Sequence, residues 1–261
     1  MDRLTLSLYQ TFMKILAAIL FVVLSSAVSR ANVEDLIRQG DAYDAKHESD
    51  KALEYYLPAE KLAPDNASLM VKIARQYVYR MDGLSSDADK LASGRTALEY
   101  SERAIRLAPN ECDSYLSNAI CWGKITPFLS NKEGIAASRK IQESAEKAVK
   151  LNSQNDYAWH MLGRWHQELA GIGGMTRTLA KLIYGALPDA SFEEAIRCFQ
   201  KAIALNPGRL IHTVELGRTY AAMGNEAEAR KYLEKGLAMP SLEKDDPETK
   251  RRGRATLAEL N

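Results

Sequence analysis

Four stretches of this 261-residue chain end alike, and that repeated ending constrains the fold more than any other feature. They are Lys61-Leu62-Ala63-Pro64-Asp65-Asn66, Arg106-Leu107-Ala108-Pro109-Asn110, Lys150-Leu151-Asn152-Ser153 and Ala204-Leu205-Asn206-Pro207, with a degenerate fifth copy at Leu237-Ala238-Met239-Pro240. An Ala-rich segment precedes each: Ala52, Tyr56 and Ala59; Ala97 and Ala104; Ala145 and Ala148; Ala195, Phe199 and Ala202. Upstream of each lies a second segment with large, small and aromatic positions at helical spacing. These are Leu36, Gly40 and Tyr43; Met70, Ala74 and Tyr77; Tyr115, Ala119 and Trp122; Leu162, Gly163 and His166, with Trp159 just before; and Leu216, Gly217 and Tyr220, with Ala229 following. Small residues let two helices approach and large ones fill the gap between them. A unit that cannot bury its own apolar face must stack on the next.

A 34-residue helix pair with these slots is the tetratricopeptide pattern. Residues 33–66 fit it without a gap, and the further units fall near 67–111, 112–155, 156–209 and 210–243. The expected fold is all-α: a right-handed tetratricopeptide-type solenoid of about five helix pairs spanning residues 32–261, with a C-terminal capping helix over 246–260. Asp246-Pro247 opens that helix, and Lys250, Arg251, Arg252 and Arg254 read as its solvated outer face. The interval from the aromatic slot to the next Ala slot is nine residues in the first and fifth units and grows to 20, 23 and 29 in the middle three. The additional residues are expected in the turn between paired helices, as a polar surface loop at Asp82–Asp87. In the fourth unit they form an insertion, Gly171–Ala190, holding a short amphipathic helix from Met175 to Tyr184. Ser191 with Glu194 reads as a capping box for the helix that follows.

The N-terminus reads separately. Ile15–Val28 is almost wholly apolar and follows Lys14. At 1.5 Å per residue such a run reaches about 21 Å, short of the roughly 30 Å bilayer core. A basic residue, a short apolar run and small residues near Ser29-Arg30-Ala31 describe an export signal over residues 1–31. The expected location is the secretory pathway or an extracytoplasmic space; the alternative is membrane anchoring by residues 15–28.

Chemistry is sparse. Basic and acidic residues number 35 and 34, so the chain lacks the footprint of a nucleic-acid binder. There is no Gly-rich phosphate loop, nucleophile elbow, paired-Cys zinc motif or His-Glu-x-x-His. His160 and His166 project from different sides of a helix, and Trp122, Trp159 and Trp165 read as core fillers. Cys112 and Cys121 sit roughly 13 Å apart along one helix, too far for a disulfide. No catalytic residue, cofactor or metal is expected. The residues after the small slots (Asp41, Arg75, Ile120, Arg164, Arg218) share an adjoining face with Tyr79, Lys124, His160 and Gln167. In this repeat type that face lines the concave groove. Arginine's planar fork suits carboxylates. Arg75, Tyr79, Lys124, His160, Arg164, Gln167 and Arg218 are therefore the expected binding groove for a protein or peptide partner with an acidic, extended tail. The alternative is that these arginines pair with Glu or Asp of the chain itself.

From Trp159 to about Leu257 the sequence resembles the regulator of microtubule dynamics family. The motifs are Leu162-Gly163-Arg164-Trp165, Ala180-Lys181-Leu182-Ile183-Tyr184-Gly185-Ala186-Leu187-Pro188, Ser191-Phe192-Glu193-Glu194-Ala195 and Leu216-Gly217-Arg218-Thr219-Tyr220, in the family's order. With the stretched middle repeats, the resemblance extends over residues 33–261. It implies a non-catalytic helical-repeat scaffold, with microtubule association and spindle or organelle-contact roles found in animal members. An exported chain would meet no tubulin. The competing expectation is a scaffold that assembles envelope or secretory-pathway complexes through its convex face or the 171–190 insertion.

Overall fold

The computed structural model of the protein describes residues 31–173 and 189–260, and every regular element among them is helical. In chain order they are α1 (31–44), α2 (Ser49–Leu62), α3 (Ala67–Arg80), α4 (Asp87–Leu107), α5 (Cys112–Ile125), α6 (Asn131–Leu151), α7 (Asp156–Ala170), α8 (Phe192–Leu205), α9 (Leu210–Ala222), α10 (Glu226–Ala238) and α11 (Asp246–Glu259). Each helix from α3 onward packs on its predecessor, Leu36, Ile37 and Tyr43 of α1 pack on the cluster that includes Ala52 and Tyr56 of α2, and α11 lies against both α9 and α10. This is the tetratricopeptide-type solenoid expected from the repeats.

The recurring ending has a recurring geometry. The amides of Ala63, Ala108, Asn152 and Asn206 each donate to the carbonyl four residues back, on Ala59, Ala104, Ala148 and Ala202, at 2.8–2.9 Å. Each of those four residues then leaves helical geometry, with φ between −135° and −145°. A following proline enforces that exit in three of the four copies. Six of the described helices begin on side-chain caps: Asn66, Ser86, Ser130, Asn155, Ser191 and Asn225 each accept the amide three residues on. Such a cap contributes about 1 kcal/mol. Ser191 caps α8 through the Glu194 amide, but the Glu194 side chain turns to Arg197, so the expected box is half made.

Slots interlock as their sizes require. Tyr56 is fully buried beside Gly40, and its hydroxyl donates to Asp41 at 2.6 Å. A Cβ on Gly40 would stand 2.4 Å from the Tyr56 ring. In the fifth unit a Cβ on Gly217 would meet Leu233 at 2.8 Å, and Leu233 is fully buried.

Two expectations change. The additional residues of the second and third units are mostly helix: α4 and α6 each run 21 residues, after 3-10 turns at Met81–Gly83 and Thr126–Phe128. Ser86 caps α4, and Ser130 with Glu133 forms a complete capping box for α6, so helix starts ahead of the Ala slots. Of the tryptophans only Trp165 is a core filler in full, with its Nε1–H donating to the Ser138 carbonyl at 2.9 Å; Trp122 and Trp159 are half-buried. The Met175–Tyr184 helix and the N-terminal apolar run lie outside the described residues. No helix among the described residues is long and apolar enough to cross a membrane.

Candidate partner-binding groove

Two helical faces make the centre of the groove. On α7, Asp156, His160, Arg164 and Gln167 recur every three or four residues; on α9, His212, Glu215 and Thr219 do the same. That spacing stacks each set along one side of its helix. α7 and α9 lie close enough for the two sets to meet across the groove.

Glu215 is the pivot. It has no exposed surface, and three guanidinium groups converge on it: Arg164 at 2.6 Å, Arg218 at 2.7 Å and Arg252, from α11, at 3.2 Å. Burial alone would push this carboxyl up, but the arginines outweigh it and hold it at about 2. Arg164 also reaches Glu168 at 2.6 Å and Gln167 at 3.2 Å. The Gln167 amide donates to the Glu215 carbonyl and the Thr219 hydroxyl, which locks the α7–α9 register.

Below this layer runs a hydrogen-bonded chain. His212 Nε2 lies 2.9 Å from Asp156 Oδ2, and its Nδ1 lies 3.1 Å from Nδ1 of His160. An ionised carboxylate only accepts, so the Nε2 of His212 carries its proton and Nδ1 is left as an acceptor. The His160 Nδ1–H then donates to it, and both rings are neutral. Burial pushes both imidazoles down, His160 well below its usual value. Arg209 flanks Asp156 at 2.7 Å.

The groove's other half is different. Tyr79 on α3 and Lys124 on α5 face the loop joining α10 to α11 (residues 239–245). Lys244 reaches the Tyr79 carbonyl at 2.6 Å and Asp82 at 2.9 Å, and its Nζ lies 4.3 Å from the Tyr79 ring centre. Lys124 pairs with Asp245 at 3.2 Å. Burial lifts the Tyr79 phenol to about 12. Arg75 pairs with Asp44, and its charge works against that rise.

Of the seven residues expected to line the groove, Arg164, Gln167 and Arg218 gather around Glu215, and His160 lies in the hydrogen-bonded chain with His212 and Asp156. Tyr79 and Lys124 gather at the C-terminal loop, and Arg75, paired with Asp44, lies near enough for its charge to act on the Tyr79 phenol. The arginines do pair with carboxylates of the chain itself. Sequence reasoning passed over Glu215, His212, Asp156, Arg209 and the loop residues Lys244 and Asp245. Glu215 carried a signal: it sits in Thr213-Val214-Glu215-Leu216-Gly217, where a carboxylate between apolar neighbours needs a cation. Arg252 corrects the solvated-face reading of α11, since it turns inward to Glu215, while Lys250 donates to the Met239 carbonyl. A surface cleft of about 650 Å³ opens beside the cluster, lined in part by Gln167, Arg218, Ile172, Ala221, Thr256 and Leu260.

Stacked helix pairs curving around a polar inner face define a tetratricopeptide-type helical-repeat protein. Residues 36–261 match the model of regulator of microtubule dynamics protein 1-3, and the chain belongs to that family. It is 27% identical over 228 residues to bovine (Bos taurus) regulator of microtubule dynamics protein 1, covering 86% of this chain and 71% of the relative. To regulator of microtubule dynamics protein 3 of Xenopus laevis it is 26% identical over 187 residues, covering 71% of this chain and 40% of the relative. Among solved structures, a thermophilic TPR protein of Thermus thermophilus superposes with a TM-score of 0.64 at 17% identity, covering 87% of this chain and 99% of that one.

Proposed function

We propose that the protein is a non-catalytic interaction scaffold that takes an acidic, extended segment of a partner at the Arg164–Arg218–Arg252 cluster. One observation carries this reading: three guanidinium groups share a single buried carboxylate. A guanidinium has five N–H donors. The three side chains remain 23–31% exposed at the groove. One buried carboxylate thus serves three guanidinium groups, which leaves positive charge toward the groove. A partner carboxylate gains charge-assisted hydrogen bonds of roughly 1.5–3 kcal/mol each.

The family name suggests microtubules as one acidic partner. An export signal over residues 1–31 would instead direct the same groove to extracytoplasmic partners, and mass spectrometry of the native N-terminus separates the two. Fluorescence anisotropy with a labelled octaglutamate peptide tests the groove. The Arg218→Gln/Arg252→Gln double variant leaves Arg164 on Glu215, so the core keeps its ion pair. Reversing Arg164 and Arg218 would instead crowd carboxylates around Glu215 and unfold the site. The double variant is expected to bind at least about tenfold more weakly, with the helical signal retained. Undiminished binding overturns the reading.

A further inference from the structure

The loop after α10 lies across the half of the groove that the arginine cluster leaves unused. Its ties to α3 and α5 come from two adjacent side chains. Lys244 enters a seat made of the Tyr79 ring face (4.3 Å), the Tyr79 carbonyl (2.6 Å) and the Asp82 carboxylate (2.9 Å). Asp245 meets Lys124 at 3.2 Å. Only 18% of the Lys244 side chain stays exposed, although lysine heads seldom leave water. Aromatic face, carbonyl and carboxylate are the three groups that stabilise a desolvated ammonium. The neighbouring cation on α5 then favours an acid as the next residue.

The loop's frame does not depend on these contacts. Asp246, buried at the start of α11, accepts the amides of Leu242 and Glu243 at 2.7 and 2.8 Å. Lys250 holds the Met239 carbonyl, and Arg209 holds Glu243 at 3.1 Å. The loop is built at its own end of the array and merely rests its Lys-Asp pair on units 121 and 162 residues upstream. It therefore behaves as a ligand carried in cis.

We infer that Tyr79, Asp82 and Lys124 form a second docking site, for an extended peptide with a basic residue followed directly by an acidic one, and that Lys244-Asp245 is its built-in occupant. A partner with that pair competes with the loop, so the groove's first half opens only as the loop leaves. The site is distinct from the arginine cluster and reads the opposite charge first.

The test uses the full chain and a fluorescein-labelled peptide of sequence Ser-Leu-Glu-Lys-Asp-Asp. Lys244→Glu/Asp245→Lys sets like charges against Asp82 and Lys124 and should release the loop. Its affinity for the peptide is expected to rise about tenfold or more over wild type, because a ligand tethered at millimolar effective concentration no longer competes. Adding Asp82→Lys/Lys124→Glu restores opposite charges in cis and is expected to abolish binding. No gain in the released variant, with its helical signal intact, overturns the inference; so does a gain that survives the added pair. If the released variant lost its helical signal, wild type with Asp82→Ala decides: weak peptide binding at millimolar concentration must fall, and unchanged binding overturns the site. Octaglutamate binding, which reads Arg218 and Arg252, is measured on the same proteins. Failure of one site is thereby told apart from failure of the other.

Discussion

Replacing Glu215 with Gln probes the arginine cluster where it is most exposed to refutation. The carboxyl is fully buried and held at about 2 instead of its ordinary 4.5. Its ionised form is therefore favoured by about 3 kcal/mol in the folded chain. The neutral amide can still accept a hydrogen bond from one guanidinium, but it leaves Arg164, Arg218 and Arg252 with no buried counter-charge. Breaking a buried pair this way costs about 3–5 kcal/mol. For a chain of this size each kcal/mol moves Tm by about 2–4 °C, so a fall of at least about 6 °C at pH 7 is expected. Because a solenoid is stabilised unit by unit, hydrogen exchange should quicken first in α9–α11. The pH dependence carries a sign. A depressed carboxyl contributes stability that is complete above about 4.5 and lost as pH falls toward about 2. E215Q should therefore flatten the wild-type acid limb in that window. Urea titrations followed by helical circular dichroism at pH 7 and across pH 2–5 make the measurement. A cost below about 1 kcal/mol at pH 7, or an unchanged acid limb, would refute the account of the cluster.

The histidine pair gives a second, separate pH window. His160 and His212 are both held below 6.5 by burial, with Arg164, Arg252 and Arg209 adding to the effect on His160; Asp156 pulls His212 the other way. Neutral imidazoles contribute stability above 6.5 that is lost as pH falls below it, so Tm should drop between pH 7 and 5.5, ahead of the carboxyl window. Imidazole NMR titrations that place both at or above 6.5 would contradict the assigned tautomers. Gly217→Ala should cost about 1–3 kcal/mol in urea titrations, because the new methyl meets the Leu233 backbone nitrogen at 2.9 Å. Gly134→Ala in α6 meets nothing within 4 Å and should instead stabilise by about 0.5–1 kcal/mol. Cys112, Cys121 and Cys198 are free and buried, and burial raises their thiols to about 11, 12 and 11. A thiol-specific disulfide reagent at pH 8 should titrate them slowly in the native protein and rapidly in denaturant; three fast thiols in the native state would contradict this.

The repeats were legible because each slot is a local size rule that geometry repeats. Gly40 against Tyr56 and Gly217 against Leu233 are contacts between helices adjacent in sequence, and short-range spacing encodes them. The lengthening of α4 and α6 was missed because the slot count marks only where the core contact falls. Ser86 and Ser130, lying well upstream of it, decide where the helix begins. In the groove, spacing found Arg164, Gln167 and Arg218, which share one face by periodicity. It did not find Arg252, His212 or Lys244, because those contacts depend on how far the array curves. Curvature is a sum of small rotations over the units, and no single motif carries it. The charged loop at Glu243-Lys244-Asp245 looks like any solvated connection until the array brings Tyr79 and Lys124 to it.

The central claim is that partners are held on the concave face at the arginine cluster. Photo-crosslinking tests it most directly, using octaglutamate with a terminal diazirine and mass spectrometry to locate the adducts. Crosslinks on α7, α9 and α11 near Arg164, Arg218 and Arg252, lost in the Arg218→Gln/Arg252→Gln variant, are the predicted result. Adducts concentrated on α4, α6 and α8, or in residues 174–188, and indifferent to that variant, would contradict it.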